Sequence, residues 1–122
     1  MLLSFTASGT SSHVTGHVKW ATGFLVDGSN VSGGILMENN GDLGSGEGWS
    51  MGWGVAWNDV SDVTAQAPPG SMNWAIGATG AAPTATDTGV YESLNKPVIP
   101  ESLYLAQLCV RLGPAAVTAI GN

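Results

Sequence analysis

Short apolar runs fill the sequence from residue 20 to residue 77, and each boundary between them carries Gly, Pro, Asn or Asp. Each run is three to five residues long. The runs lie at residues 24–26, 35–37, 53–57, 63–67 and 74–76. A helix needs a longer uninterrupted pattern, whereas short runs bounded by turn residues are typical of strands. This part of the chain is therefore predicted to consist of short strands joined by tight turns.

The strands show a weak internal repeat. Residues 23–28 resemble residues 54–59, at an offset of 31 positions. If residues 42–51 are a loop insertion, the underlying period is about 21 residues, in the range of parallel β-solenoids. We therefore predict a mainly β fold, a short right-handed parallel β-helix of two to three rungs with a C-terminal helix. A small antiparallel sandwich is the alternative, which the near-absence of strict apolar–polar alternation disfavours.

A helix is predicted near the C-terminus. Leucines recur at helical spacing at residues 103, 105, 108 and 112. Pro100 and Glu101 suit a first helical turn, and Gly113 and Pro114 are residues that end a helix. Cys109, the only cysteine, falls in this apolar pattern and is expected to be a buried small hydrophobe.

The chain is predicted to divide after residue 80. All six prolines follow residue 67, and residues 81–100 are rich in Ala, Thr, Pro and Gly. Residues 1–80 are then the β-helix rungs, with an acidic Gly-rich loop at 42–51. Residues 81–122 are a wrapping loop followed by a capping helix.

The charge balance excludes several kinds of partner. Charged residues make up 10% of the 122 residues, against about 25% in typical soluble domains. Lys19, Lys96 and Arg111 are the only basic residues, and the net charge is −6. Nucleic acids and anionic membranes both require clustered Lys and Arg, so neither is an expected partner. Cations, neutral sugars and basic partners are compatible with this composition.

The N-terminal residues Met1 to Phe5 are apolar, but they lack the basic region and the length of a signal peptide. No apolar run approaches the roughly 18 residues of a membrane span. Either a cytoplasmic protein or a chain that begins partway through a longer one is expected, and the second is favoured.

Four segments carry a family resemblance: Trp20-Ala21-Thr22-Gly23, Gly44-Ser45-Gly46-Glu47-Gly48-Trp49, Trp57-Asn58 and residues 68–77. They resemble the late rungs of bacterial right-handed β-helix proteins of the pectate-lyase-like group, and residues 101–113 resemble the helical tail that closes such chains. The resemblance implies a C-terminal piece of a secreted family. It also implies a polysaccharide ligand, with carboxylates, a basic residue or calcium on the outer face of the rungs.

Glu38, Asp42 and Glu47 lie within ten residues of one another in a Gly-rich segment. Neighbouring carboxylates can act as acid and base on a glycosidic bond, or can ligate calcium. Glu47 and Asp42 are therefore candidate catalytic residues, and calcium is the one cofactor that this loop brings into consideration, without EF-hand spacing. The alternative is that all three are solvated turn residues that keep the chain soluble.

Trp49, Trp53 and Trp57 recur every four residues, and the glycines between them favour a strand over a helix. Exposed indole rings stack well on sugar rings, so Trp49 and Trp53 are candidate sugar platforms, with core packing as the alternative for Trp49. Lys19 is a candidate for neutralising a substrate carboxylate. Trp57 and Trp74 are expected to pack in the core.

The segment from Gly48 to Gly52 matches the G-x-S-x-G nucleophile elbow, which makes Ser50 a candidate catalytic serine. That motif needs a helix after the serine and a later histidine. His13 and His17, the two histidines, both precede Ser50, so the usual chain order is missing.

Three functional hypotheses follow, and the sequence does not decide whether the chain is an enzyme. The first is a β-helix fragment that binds a polysaccharide, or cleaves it as a lyase or hydrolase through the acidic loop. The second is a non-catalytic cap that forms homo-oligomers, because unpaired strand edges invite pairing with a second copy. The third is an ester or lactone hydrolase that acts on a small molecule through Ser50.

Overall fold

The computed structural model of the protein describes residues 1–80 and 83–121, which contain eleven short strands and two helices. The strands are β1 (Leu2–Leu3), β2 (Thr6–Ala7), β3 (Val14–Thr15), β4 (Ala21–Thr22), β5 (Leu25–Asp27), β6 (Asn30–Met37), β7 (Met51–Gly52), β8 (Val55–Trp57), β9 (Val60–Ala65), β10 (Trp74–Ile76) and β11 (Val90–Glu92). The helices are α1 (Leu103–Leu112) and α2 (Pro114–Ala119). The prediction of a mainly β chain is confirmed. The predicted division after residue 80 adjoins Ala81 and Ala82, which lie outside the described residues.

Every pairing between two of these strands is parallel. The first sheet has the order β1-β5-β8-β10-β11. Each time the chain returns to this sheet, which we call a visit, it therefore adds one strand beside the strand of the visit before. Leu25 pairs with Val55, 30 positions later, so the offset of 31 predicted from the repeat is one residue too long. Parallel pairing of successive visits excludes the antiparallel sandwich for these strands.

The second and third sheets follow the same parallel rule. In the second sheet β6 lies between β2 and β9, and its eight residues are long enough to pair with β3 as well. The register shifts between Val31 and Ile35, where Gly33 lies against the backbone of Ser12. A Cβ on Gly33 would stand 2.6 Å from the Ser12 carbonyl carbon, so this close approach requires glycine. The third sheet pairs β4 with β7.

The first sheet ends in a turn that is repeated at every visit. Ser4, Gly28, Asn58, Gly77 and Ser93 each follow one of its strands, with φ values of 48°, 60°, 52°, 70° and 52°. These values lie in the left-handed region that Gly and Asn tolerate best. We call this stack of residues the left-handed corner. It explains why Gly or Asn follows three of the apolar runs.

The core is small and is built from short side chains. Its buried hydrophobic residues are Val14, Val26, Val31, Ile35, Met37, Met51, Ala56, Val63, Ala65, Ala75 and Ala78. Asn73 is buried among them and is fully hydrogen-bonded, because its Oδ1 accepts from the Gly54 N–H at 2.8 Å and its Nδ2 donates to the Gln66 and Met51 carbonyls. Buried polar groups that find such partners are tolerated in a core.

Helix α1 lies in the segment predicted to be helical, but it begins at Leu103, so the expectation that Pro100 and Glu101 form its first turn is wrong. Pro114, expected to end the helical segment, begins α2. Ser102 is the N-cap of α1, and Gly113, with φ at 84°, separates α1 from α2. Cys109 is exposed, so the expectation that it is buried is wrong. The reason is that α1 packs mainly on α2 and buries none of its residues fully. Neither described helix has the length and apolar character needed to cross a membrane.

Candidate functional site

Trp53 and Trp74, which belong to different visits of the chain, have stacked rings, and the ring of a third tryptophan, Trp20, lies against the neighbouring Gly52. Trp53 is 52% exposed and Trp20 is 44% exposed. The rings of Trp53 and Trp74 stack, with centroids 5.8 Å apart and planes inclined by 30°. Trp74 is half-buried and supports the Trp53 ring from one side. We call Trp20, Trp53 and Trp74 the tryptophan surface.

Pairing of β4 with β7 places Trp20 beside the chain that carries Trp53. Ala21 pairs with Met51, and the Trp20 N–H donates to the Trp49 carbonyl at 3.0 Å. The ring of Trp20 then lies across Gly52, because a Cβ at Gly52 would stand 3.0 Å from that ring. Gly52 therefore lets the Trp20 ring lie against the strand that leads directly into Trp53.

The backbone of Trp53 is strained. Its φ is 58°, in the left-handed region that bulky side chains rarely enter. Such a conformation costs about 1–3 kcal/mol and persists only where its surroundings hold it. The Trp53 N–H donates to the Met72 carbonyl at 2.8 Å, and the ring stacks on Trp74. An exposed aromatic ring held at such a cost is typical of a functional site.

The two other residues proposed from sequence for substrate binding flank this surface. Trp49 is half-buried and bridges to Asn39 at the base of the acidic loop. Lys19 is exposed in a tight turn, where its N–H donates to the His17 carbonyl at 2.9 Å. Lys19 directly precedes Trp20 in the chain.

The acidic loop forms a closed hairpin. The Asn40 N–H donates to the Gly48 carbonyl at 2.7 Å, and the Gly48 N–H donates to the Gly41 carbonyl at 3.0 Å. Asp42 is exposed in its turn, whereas Glu47 is half-buried and accepts a 3.4 Å hydrogen bond from the Asn40 side chain. In the part of the chain that the structure describes, no hydrogen bond links Asp42 to Glu47. Among the described residues, no group of three or more His, Cys, Asp or Glu side chains is arranged to hold a metal ion.

Ser50 is fully buried. Its Oγ accepts from the Glu38 N–H at 3.1 Å and donates to the Leu36 carbonyl at 3.4 Å. Strand β7 follows it, where a nucleophile elbow has a helix. In this position the hydroxyl ties the end of β6 to the base of the acidic hairpin.

Glu38 is the member of the acidic segment whose protonation is altered by the fold. Burial raises the pKa of its carboxyl above the ordinary value, the nearby Asp87 raises it further, and His13 lowers it. The Ser50 N–H donates to the Glu38 carbonyl oxygen at 2.9 Å, which fixes the backbone of Glu38 at the base of the hairpin.

A second constellation, which the sequence reasoning missed, joins the C-terminal segment to the left-handed corner. Asp27 is fully buried, and its carboxylate accepts from the Ser102 hydroxyl at 2.8 Å and from the Tyr104 N–H at 2.7 Å. Asn58 accepts from the Val98 N–H at 2.7 Å and donates to the Val98 carbonyl at 2.8 Å. These bonds hold the start of α1 against the first sheet.

The indole N–H of Trp57 completes this constellation by donating to the Pro100 carbonyl at 2.9 Å. We call Asp27, Trp57 and Asn58 the C-terminal clamp. Cavities of about 420 and 390 Å³ flank the clamped segment, and Gly28 and Glu101 line both of them. The only sequence signal that could have revealed this clamp is the polar pair that follows two of the apolar runs, Asp27-Gly28 and Asn58-Asp59. Such a pair cannot be told from an ordinary turn in the sequence.

Asp59 lies beside the clamp and is fully buried. Its Oδ1 accepts from the Ser29 N–H at 2.8 Å, whereas its Oδ2 has no partner among the described residues. Burial raises the pKa of Asp59 to about 7, the neighbouring Asp27 adds to this rise, and the N–H groups of Ser29 and Trp57 oppose it. This carboxyl is therefore protonated in the folded protein at mildly acidic pH.

Comparison with known proteins finds no family that matches the chain, no curated protein similar to it and no solved structure with a matching fold. The function is therefore inferred from the geometry of the site.

Proposed function

We propose that this chain is a short right-handed parallel β-helix that binds polysaccharide through the tryptophan surface. The observation that carries the proposal is the pair of exposed indole rings, Trp20 and Trp53, whose backbone φ angles of 36° and 58° both lie in the left-handed region. Indole rings offer a large, flat, amphipathic face at little cost in side-chain entropy. The apolar C–H face of a sugar ring packs against such a surface, while its hydroxyls stay in water.

Two features of the chain support the β-helical form of the proposal. Successive visits add parallel strands to the first sheet in chain order, and the left-handed corner recurs after each of them. Stacked structural repeats that contact their immediate neighbours are the defining property of a solenoid. The resemblance to the pectate-lyase-like group agrees with this form.

The charge of the chain favours a neutral glycan over a polyuronate. The net charge is −6, and Lys19 is the one basic residue adjacent in sequence to the tryptophan surface. A chain of uronates would meet a like-charged protein and would need clustered cations to bind it. Neutral polysaccharides carry no such penalty, so the class of ligand proposed is an uncharged glycan.

Replacing Trp53 with Gly should abolish most of the binding without unfolding the chain. Glycine adopts the left-handed conformation at φ 58° without strain, while the platform ring is lost. An aromatic ring contributes about 1.5–3 kcal/mol when it is buried by a ligand, so the dissociation constant should rise about tenfold or more. Titration of a panel of neutral polysaccharides, followed by tryptophan fluorescence and calorimetry, measures the change.

Leu43→Ala is the matched control, because Leu43 is an exposed apolar residue on the acidic hairpin. It should bind as the wild-type chain does. Circular dichroism shows whether both proteins are folded. If folded wild type and folded Trp53→Gly bind the glycan with equal affinity, the tryptophan surface is not the binding site. A preference for polygalacturonate over every neutral glycan would overturn the proposed ligand class.

The proposal is one of binding, because the geometry does not join the candidate catalytic carboxylates. We expect no release of reducing ends or unsaturated products from a glycan that the chain binds. Product release that disappears in Glu47→Gln, with binding retained, would instead make this chain an enzyme of the lyase or hydrolase type. Labelling of Ser50 by a fluorophosphonate would favour the ester hydrolase hypothesis in the same assay series.

A further inference from the structure

The acidic hairpin carries the only Asn-Gly pair in the sequence, Asn40-Gly41. Asparagine is a chemically labile residue. It is most labile before glycine, because glycine has no side chain to hinder attack by its own backbone nitrogen on the preceding side-chain amide. Gly41 is exposed and Asn40 is half-buried, and Gly44, Gly46 and Gly48 follow in the same hairpin. The Asn40-Gly41 peptide therefore lies where this attack meets little steric resistance.

The one Asp-Gly pair of the sequence, Asp27-Gly28, can form the same cyclic imide, but the fold holds both of its reacting groups. Asp27 is fully buried, and its carboxylate accepts from the Ser102 hydroxyl and the Tyr104 N–H. The Gly28 N–H donates to the Trp57 carbonyl at 2.9 Å. This pair is therefore protected, and it serves as an internal comparison for Asn40-Gly41.

At Asn40-Gly41 the restraint is a single solvent-exposed side chain. The Gly41 N–H donates to Oδ1 of Asn39 at 2.9 Å, and this bond must break before the Gly41 nitrogen can attack. Asn39 is itself held by its backbone N–H, which donates to Oε1 of Gln66 at 2.9 Å. The Asn40 amide makes only a long bond, 3.4 Å, to Glu47. An exposed neutral hydrogen bond of this kind is weak, so it slows the attack without preventing it.

We propose that Asn40 is a site of spontaneous deamidation and that the Asn39 side chain sets the rate of the reaction. The Gly41 nitrogen loses its proton to water and forms a bond to Cγ of Asn40. The Cγ–Nδ2 bond breaks, and Nδ2 leaves as ammonia after taking up a proton. Water then opens the cyclic imide at either carbonyl, which gives aspartate or isoaspartate at position 40. The overall reaction consumes one water and releases one ammonia, and it does not depend on the glycan-binding function.

The products open the hairpin. A carboxylate at position 40 replaces the amide that donates to Glu47, so two anions then lie side by side. Isoaspartate also lengthens the backbone by one carbon between the two hydrogen bonds that close the hairpin, from the Asn40 N–H to the Gly48 carbonyl and from the Gly48 N–H to the Gly41 carbonyl. Both changes weaken the closure of the hairpin at its base.

Incubation of the folded protein at mildly alkaline pH, followed by peptide mass spectrometry and an isoaspartate assay, tests the proposal. We expect the mass change of amide-to-acid conversion at Asn40 before any other asparagine, together with isoaspartate at that position. Asn39→Ala should speed the reaction about fivefold, because the Gly41 N–H loses its acceptor. Asn39→Asp keeps an acceptor and should react at close to the wild-type rate. Asn40→Gln should give neither product, since the larger ring closes far more slowly.

Circular dichroism shows whether each variant is folded, and the Gly48 amide should exchange faster in the deamidated protein than in the fresh one. Deamidation at Asn40 that is no faster than at the buried Asn73 would overturn the proposed site. So would isoaspartate that forms faster at Asp27 than at Asn40. Equal rates in the wild type and in Asn39→Ala would overturn the role of the Asn39 side chain.

Discussion

Replacing Asp27 with Ala is expected to free the start of α1 from the first sheet and to lower the free energy of unfolding by about 3 kcal/mol. The carboxylate is fully buried and accepts hydrogen bonds from the Ser102 hydroxyl and from the N–H groups of Leu103 and Tyr104. These N–H groups belong to the first turn of a helix, where no intrahelical acceptor exists. Without Asp27 they are left without a charged acceptor next to the sheet.

Urea denaturation and hydrogen exchange together measure this effect. Amides of residues 98–105 should exchange much faster in Asp27→Ala, while amides of β6 and β9, which take no part in the hydrogen bonds of the clamp described above, should keep most of their protection. Asp62→Ala is the matched control, since Asp62 is exposed on β9 and its carboxylate accepts no hydrogen bond among the described residues. Its stability should stay within about 0.5 kcal/mol of the wild type. Unchanged exchange at Leu103 and Tyr104 in Asp27→Ala would show that the clamp does not hold the helix.

The local structure of this chain can be predicted from its sequence because it is set by residues that are adjacent in the chain. Gly28 and Gly77 follow apolar runs and adopt the left-handed conformation that ends a strand. Ser102, Gly113 and Pro114 mark the bounds of two helices, since capping and the missing proline N–H act over a single turn. For this reason β5, β6, β8, β9, β10 and α1 are found close to where strands and a helix are predicted, whereas β11 lies within residues 81–100, where a wrapping loop is predicted.

Contacts between successive visits could not be predicted in the same way. The regular spacing of Trp49, Trp53 and Trp57 predicted a platform within one segment, but the rings that stack belong to Trp53 and Trp74, and the Trp20 ring lies against Gly52. Their proximity depends on which strands pair and in which register, and a repeat with offsets that vary along the chain does not reveal this.

The roles of the polar residues after each strand were hidden for a related reason. Asp27 and Asp59 stand where a solvated turn residue would stand, and both are buried. The C-terminal segment covers one, and stacking of neighbouring visits covers the other. Conversely, the apolar helix pattern around Cys109 predicted burial, although α1 packs mainly on α2 and leaves Cys109 exposed. Periodicity identifies an apolar face but does not say what lies against it.

The buried carboxyl of Asp59 should make the chain less stable at alkaline than at acidic pH. Its pKa is about 7 in the folded protein and 3.8 as an ordinary carboxyl, so the folded state holds a proton that the unfolded state has released between these values. The free energy of unfolding should therefore fall as pH rises from about 4 to about 7, by about 1.4 kcal/mol per pH unit and about 4 kcal/mol in all. Glu38, whose pKa is also raised, acts in the same direction.

Asp59→Asn separates this contribution from all others. The amide oxygen can still accept from the Ser29 N–H, and the side chain stays neutral at every pH, so the variant should match the wild type near pH 4 and exceed its stability at pH 8. Urea denaturation across this pH range measures the stability of both proteins, with Asp62→Asn as the control that should keep the wild-type slope.

The neighbouring Asp27 carboxylate makes the ionised form of Asp59 still less favourable, because two anions would then lie side by side beneath the start of α1. The same ionisation should therefore loosen the clamp before it unfolds the sheets. In the wild type, the Tyr104 amide should exchange faster above pH 7 than the ordinary pH dependence of exchange predicts. In Asp59→Asn, exchange at Tyr104 should follow that ordinary pH dependence alone. A wild-type slope equal to that of Asp59→Asn would mean that Asp59 is ionised in the folded protein and that its unpaired oxygen is solvated.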